Sequence, residues 1–321
     1  VPTFCRHNRF EANCPVCSRE QAEAAAPRRA GVRSSGGPVT RKRVGGTSAR
    51  RSGALRVRHV AREHDDGFRS ALVPGLKASG DADRLAQEIA FANGRLGLLA
   101  SEPPGLYAEV ATSGDREEAI WLAFLIAYLC PLEVADPFAG VRAARTTWAS
   151  GELPRLEEAP LGPRTAHDPV RGTATLTAYR AWAQRSGSQD AAFAGEAPWT
   201  PERRFGRAFE RLALPGLHRD ARFELLVTLG ALGLHDVRAG ALQLGGADET
   251  TVGAKRVFGI GDTLLLERRA VELAEACGVP LAALDLGLWN WAQPTTRATL
   301  GCPTAAPDPD AYTRVGDALG L

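Results

Sequence analysis

Along most of the chain, apolar residues recur three and four positions apart, which is the spacing of an amphipathic helix. The segment Ala82–Leu99 carries Leu85, Ile89, Ala92, Leu96 and Leu99 on one face, and Ser101-Glu-Pro-Pro-Gly105 breaks it. Asp115-Arg-Glu-Glu118 opens a helix from Ala119 to Cys130 that is apolar on every side and stops at Pro131. Acids in its first turn suit the helix dipole, and its uniform apolarity marks it as the central core helix. Further helices are predicted from Asp136 to near Trp148, over Thr173–Arg185, after the Thr200-Pro201 cap, over Arg219–Leu232 and over Val237–Leu244. The stretches Gly151–Arg171 and Gly187–Trp199 read as loops. Sustained two-residue alternation is nearly absent, so the predicted fold is all-α, with roughly eight to ten helices.

One stretch combines these signals at close quarters. Lys255-Arg-Val-Phe-Gly-Ile-Gly-Asp-Thr263 places Gly259-Ile260-Gly261 between two helix-like segments, with Asp262 positioned to cap the second. That second helix carries Leu266, Ala270, Leu273, Ala274 and Cys277, and Gly278 is its expected left-handed terminator before Val279-Pro280. Leu284-Asp285 then opens a final aromatic helix containing Trp289, Asn290 and Trp291. A Gly-x-Gly turn lets backbone N–H groups converge on a phosphate, and an acid shortly downstream can stand beside a sugar of the same strand.

Composition adds a second region to this picture. A 321-residue chain with 44% hydrophobic and 24% charged residues has ample material for a core. The longest uncharged apolar run is too short for a bilayer, so no membrane partner is expected. Val1-Pro-Thr-Phe-Cys5 has no secretory character, and a cytoplasmic location is expected. The net charge of +2 hides ten basic and no acidic residues between Pro27 and Arg58. The sequence divides into a zinc-binding segment (1–20), a basic linker or arm (21–58), a helical domain (59–300) and a C-terminal tail (301–321). The linker is either a solvated tether or an arm that follows a DNA backbone.

Cys5, His7, Cys14 and Cys17 put four donors within thirteen residues, which suits a closed, structural Zn²⁺ site. The plainer alternative, a redox Cys-x-x-Cys beside an unrelated histidine, lacks the strand-helix context that such a pair needs. Cys130, Cys277 and Cys302 are scattered in apolar or loop settings and read as small core residues. The last two are too few for an iron–sulfur cluster.

The order of apolar lead-in, Gly-Ile-Gly, capped helix, Gly-Val-Pro and apolar-apolar-Asp resembles the helix-hairpin-helix DNA glycosylase superfamily, with Phe258 where a proline is usual. Pro103-Pro-Gly-Leu-Tyr107, Leu161-Gly-Pro-Arg-Thr-Ala166, Phe223-Glu-Leu-Leu-Val-Thr-Leu-Gly230 and the run Phe258–Trp291 resemble its α-glutamyl/putrescinyl thymine pyrophosphorylase-like branch. The likeness covers roughly residues 60–300. It implies action on hypermodified pyrimidines in double-stranded DNA, including glucosylated hydroxymethylcytosine of phage genomes. Asp285 would be the catalytic acid. Lys255, Arg256, Gly259, Ile260, Gly261, Asp262, Thr263 and Arg268 would bind DNA, and Tyr107, Trp289, Asn290 and Trp291 would form the base pocket.

The chemistry is consistent with those assignments. Cleaving an N-glycosidic bond develops positive charge on the deoxyribose, which a carboxylate stabilises while orienting water. The base must first leave the stack, and aromatic rings can receive it. Thr263 stands where bifunctional relatives have a Schiff-base lysine, so a monofunctional enzyme leaving an abasic site is expected. The plainer alternatives are that Asp285 only caps a helix and that the aromatics only pack. Rival functions are a DNA hypermodification enzyme acting on a modified thymine, a noncatalytic DNA-binding protein and ordinary alkylation repair. Protein partners and oligomeric state are not legible.

Overall fold

The computed structural model describes residues 64–293 and 296–321. The chain divides into two units, Val1–Val57 and Arg58–Leu321, and the described residues all belong to the second. Among them are twelve helices and no strand, so the all-α expectation holds. In chain order these are α1 (Ser79–Ser101), α2 (Leu106–Thr112), α3 (Arg116–Leu129), α4 (Ala139–Ala144), α5 (Gly172–Arg185) and α6 (Gln189–Ala194). They continue as α7 (Pro201–Arg211), α8 (Arg219–Ala231), α9 (Glu249–Phe258), α10 (Thr263–Cys277), α11 (Leu281–Ala292) and α12 (Pro309–Leu319). None is long and apolar enough to cross a membrane.

The uniformly apolar α3 is buried from Ala119 to Leu129 and packs against α8. Asp115 caps it by accepting from the N–H groups of Glu117 and Glu118. Its rings build an aromatic stack, in which Phe124 and Tyr179 lie 3.7 Å apart between centroids. The second packed layer is α1 against α11 and α12, with α9 on the far side of α11. Each fully buried leucine here, such as Leu85, Leu284 or Leu288, contributes roughly 1.5–3 kcal/mol by leaving water. A buried ion pair between Arg95 and Glu224, 2.5 Å apart, ties α1 to α8.

Five expectations need correction. Residues 237–244 are irregular, because their apolar side chains reach the core while two of their N–H groups bond to the Glu267 carboxylate instead of to a helical carbonyl. The helix expected to run to Trp148 ends at Ala144, and the Gly187–Trp199 loop contains α6, which Ser188 caps. Residues 301–321 include α12, which buries Ala311, Val315 and Leu319 and packs on α1. Finally, α11 starts at Leu281 with Pro280 at its N-cap, so Asp285 sits in the second turn and caps nothing.

Candidate functional site

A cavity of about 430 Å³ opens among the Pro163–Thr165 loop, the start of α8, the approach to α9 and Trp289 of α11. That volume lies within the ~300–1,000 Å³ span of small-molecule pockets. Its lining includes Arg164, His218, Arg219, Asp220, Asp248, Glu249 and Trp289.

The loop is placed by the end of α3. The last carbonyls of a helix have no partner within it. Those of Tyr128, Leu129 and Cys130 accept from the N–H groups of Ala166 and Gly162 at 3.0–3.1 Å. Thr165 adds its hydroxyl to the Tyr128 carbonyl at 3.1 Å. The approach at residue 162 is so close that a Cβ there would lie 2.1 Å from the Pro131 carbonyl oxygen. Glycine is therefore required, and its contact fixes where Arg164 emerges. Arg219 and Asp220 come from the first turn of α8, and Asp248 caps α9 by accepting from the Thr251 N–H at 2.9 Å.

Beneath this lining lies Asp285. Arg164 Nη2 donates to Asp285 Oδ2 at 2.9 Å, and Arg219 Nη1 meets Oδ1 by charge without hydrogen-bond alignment. The same two arginines reach Asp220, at 3.5 Å and 3.1 Å. Two guanidinium groups and two carboxylates thus form a closed set of zero net charge. Burial opposes the charge on Arg164 and Arg219, but Asp220 and Asp285 overcome it and raise both above the usual arginine range. Burial also opposes ionisation of Asp220, which Arg164 and Arg219 nevertheless hold below the usual carboxylate range. Asp285 is 1% exposed and does not itself line the cavity. Arg164 Nε and Nη1 and Arg219 Nε have no hydrogen-bond partner among the described residues. Above the set, the Arg164 guanidinium lies 5.5 Å from the Trp289 ring centroid.

Of the four residues expected in a base pocket, only Trp289 is at this cavity. Tyr107 is fully buried and donates its hydroxyl to the Leu300 carbonyl at 3.0 Å. Asn290 clamps Ala298, accepting its N–H at 2.8 Å. Trp291 donates to the Asp81 carbonyl at 2.9 Å and borders a separate cavity of about 240 Å³ with Gly75, Lys77 and Arg256. Arg84 and Arg256 lie over its ring, at 5.1 and 4.7 Å from the centroid. Tyr107 and Asn290 are packing residues, placed where their polar tips find backbone partners.

The Gly-Ile-Gly turn joins α9 to α10 as a short helical hairpin. Gly259 is left-handed at φ 66° and terminates α9, while Asp262 caps α10 through the Leu265 N–H at 3.0 Å. Gly278 terminates α10, again left-handed. The two glycines of the turn differ. Gly259 needs its conformation and lies against Gly75, where a Cβ would stand 3.3 Å from the neighbouring Cα. Gly261 has no left-handed φ, and a Cβ on it would meet nothing within 4 Å. Both are exposed, as are Asp262 and Thr263. Leu264 and Leu265 follow at 82% and 44% exposure, a pair of uncovered apolar side chains that the sequence reading passed over. Lys255 and Arg256 are half-buried on α9, and Arg268 is exposed and pairs with Glu272 at 3.2 Å.

The expected zinc ligands Cys5, His7, Cys14 and Cys17 lie outside the described residues, as does the expected basic arm. Among the described residues no cluster of His, Cys, Asp or Glu is arranged to hold a metal ion. Cys130, Cys277 and Cys302 are buried free thiols. The sequence reading missed Arg164, Arg219 and Asp220, the residues that enclose Asp285. Comparison with known families, curated proteins and solved structures finds no match to this chain.

Proposed function

We propose that the chain is a DNA glycosylase of the helix-hairpin-helix kind that excises a bulky modified pyrimidine, such as glucosylated hydroxymethylcytosine of phage DNA, and leaves an abasic site. The observation that carries this reading is the position of Asp285 on the helix after the hairpin, directly under a 430 Å³ cavity walled by Trp289. A flipped base stacks on such a ring, and Arg164 and Arg219, which line the same cavity, carry guanidinium donors of the kind that suit pyrimidine carbonyl oxygens. Two arginines keep company with the carboxylate that would face the developing sugar cation. For it to do so, a substrate entering the cavity must draw Arg164 aside.

The hairpin supports the same reading. Nothing among the described residues requires glycine at 261, and glycine without such a reason suits close approach of an external backbone. Its exposed turn lies beside the start of α10, where N–H groups point outward and favour a phosphate. The resemblance noted above adds double-stranded DNA as partner and a monofunctional outcome from Thr263, and the spacing of Cys5, His7, Cys14 and Cys17 adds structural zinc at the N-terminal segment.

The near-complete burial of Asp285 favours a second reading, in which the acid is purely structural and the protein binds DNA without cutting it. Incubation with unmodified, glucosylated-hydroxymethylcytosine and hypermodified-thymine DNA, with mass analysis of released bases, separates the two. Free modified base and intact abasic strands, both lost in Asp285→Asn, establish excision. Altered bases still attached to DNA point to modification. Tight binding with no product leaves the binding protein.

A further inference from the structure

We propose that Glu267, on the hairpin helix α10, is the positioning residue that holds Arg219 against Asp285 at the cavity floor. The inference rests on the glycosylase reading of the cavity and adds a member to it. Glu267 lies in the second turn of α10, five residues after the cap Asp262. Its carboxylate accepts the N–H of Leu242 at 2.8 Å and that of Leu244. The carbonyl of Leu242 in turn accepts from Arg219 Nη2. Arg219 Nη1 meets Asp285 and Asp220. Leu242 is thus gripped from both sides, by the hairpin helix through its N–H and by the floor arginine through its carbonyl.

Two observations make this more than a loop anchor. The segment 237–244 has no helix or strand of its own, so its placement depends on such contacts. Beyond it, Gly246, Ala247 and Asp248 are themselves cavity wall. Glu267 also reaches off its own helix to the segment leading to the cavity wall, whereas Glu272 pairs with Arg268 and Arg269 on α10 itself. Losing the carboxylate frees Leu242, removes the partner of Arg219 Nη2 and lets the guanidinium swing away from Asp285. The hairpin that would grip the DNA backbone and the acid that would act on the sugar are thereby held in one register.

The test is steady-state kinetics on the DNA substrate found for the wild-type full chain, with amide exchange measured in parallel. Glu267→Leu is expected to lower kcat about tenfold or more while KM changes less than about twofold, since a charge-assisted contact is lost away from the DNA-binding surface. Glu267→Gln, which keeps an acceptor oxygen, should recover kcat to within about threefold. The Leu242 and Leu244 amides should both exchange faster in Glu267→Leu, whereas Glu267→Gln, whose single carbonyl oxygen replaces one of the two acceptors, should keep one of them near the wild-type rate. Should Glu267→Leu fail to fold, Glu267→Asp withdraws the carboxylate by one methylene and should show the same loss of kcat. Unchanged kcat in Glu267→Leu, or equal losses in the Leu and Gln variants, overturns the positioning role. A wild type that releases no base from any DNA overturns the glycosylase reading and the role with it, and the exchange data then report only on the loop contact.

Discussion

Arg164 of the loop after α4 and Asp285 of α11 lie 121 positions apart in sequence and 2.9 Å apart in space, both almost wholly removed from solvent. A pair of this kind adds little net stability when intact, because desolvation cancels most of the attraction, but breaking it from one side leaves a buried charge without compensation. Asp285→Asn removes one of the two carboxylates facing two guanidinium groups and leaves the set with an excess positive charge. The expected cost is about 3–5 kcal/mol in urea denaturation. Replacing Arg164 and Asp285 together by Met and Leu should cost distinctly less than the two single changes summed.

The two hairpin glycines should separate folding from binding. Gly259→Ala forces a Cβ into a left-handed residue packed on Gly75 and should cost about 1–2 kcal/mol, seen as a lower melting temperature. Gly261→Ala meets open space, so its melting temperature should stay within a degree or two of wild type, about 0.5 kcal/mol. Its affinity for duplex DNA should nonetheless fall severalfold in a titration at fixed salt. An unchanged affinity would remove the hairpin from the DNA surface.

Gly162→Ala tests the support of the cavity loop. The new methyl would collide with the Pro131 carbonyl, which is backbone and cannot step aside cheaply. The expected loss is about 1–3 kcal/mol, as for other overpacked sites. Accelerated exchange of the Ala166 amide, whose acceptor is the Tyr128 carbonyl, would localise the damage to the loop.

Stability should depend on mild acid through His235. Burial, helped by Arg116, pushes its imidazole down to about 4 against the opposing pull of Asp190. A folded value below the unfolded one means that the unfolded chain takes up the proton first as pH falls. The contribution is complete above about pH 6.5 and is lost on descending towards pH 4. Melting temperature should therefore decline across that window, and His235→Gln should flatten the decline.

Metal analysis of the purified full chain should give about one zinc per molecule, as four ligands of the Cys/His type hold one ion. Replacing Cys14 and Cys17 by Ser should abolish it. Melting of the helical unit should be unaffected by the change, since none of its described residues is arranged as a metal cluster.

The parts of this fold legible in sequence are those whose cause is local. Thr200 and Asp262 cap the helices they were expected to cap, and Gly278 ends α10, because each effect depends on a few adjacent residues. The segment 237–244 deceived because Val237, Leu242 and Leu244 imitate helical spacing, while the decisive bonds come from Glu267 on another helix. The site failed for a similar reason. Arg164 stands in a loop whose path is dictated by the unpaired carbonyls of α3, and Arg219 opens a helix with no side-chain cap. No neighbour of either residue announces Asp285 as its partner. Tyr107 and Asn290 look like recognition residues by type, yet backbone groups of the segment 298–300 already satisfy them.

The packing of α12 on α1 has a topological consequence. Asp308 bonds to the Ala90 carbonyl through its N–H, and Tyr312, one turn on, reaches Asp83 through its hydroxyl. The last helix therefore runs back along the first, and at 1.5 Å per residue Leu319 arrives level with the start of α1. Asp66 is there too, accepting the Ser79 N–H at 2.9 Å. The two ends of the described unit are spatial neighbours, and the order in which its helices are strung is separable from their arrangement. A circular permutant joined across this seam and opened at the exposed Ser150-Gly151 turn should fold to the same helical unit.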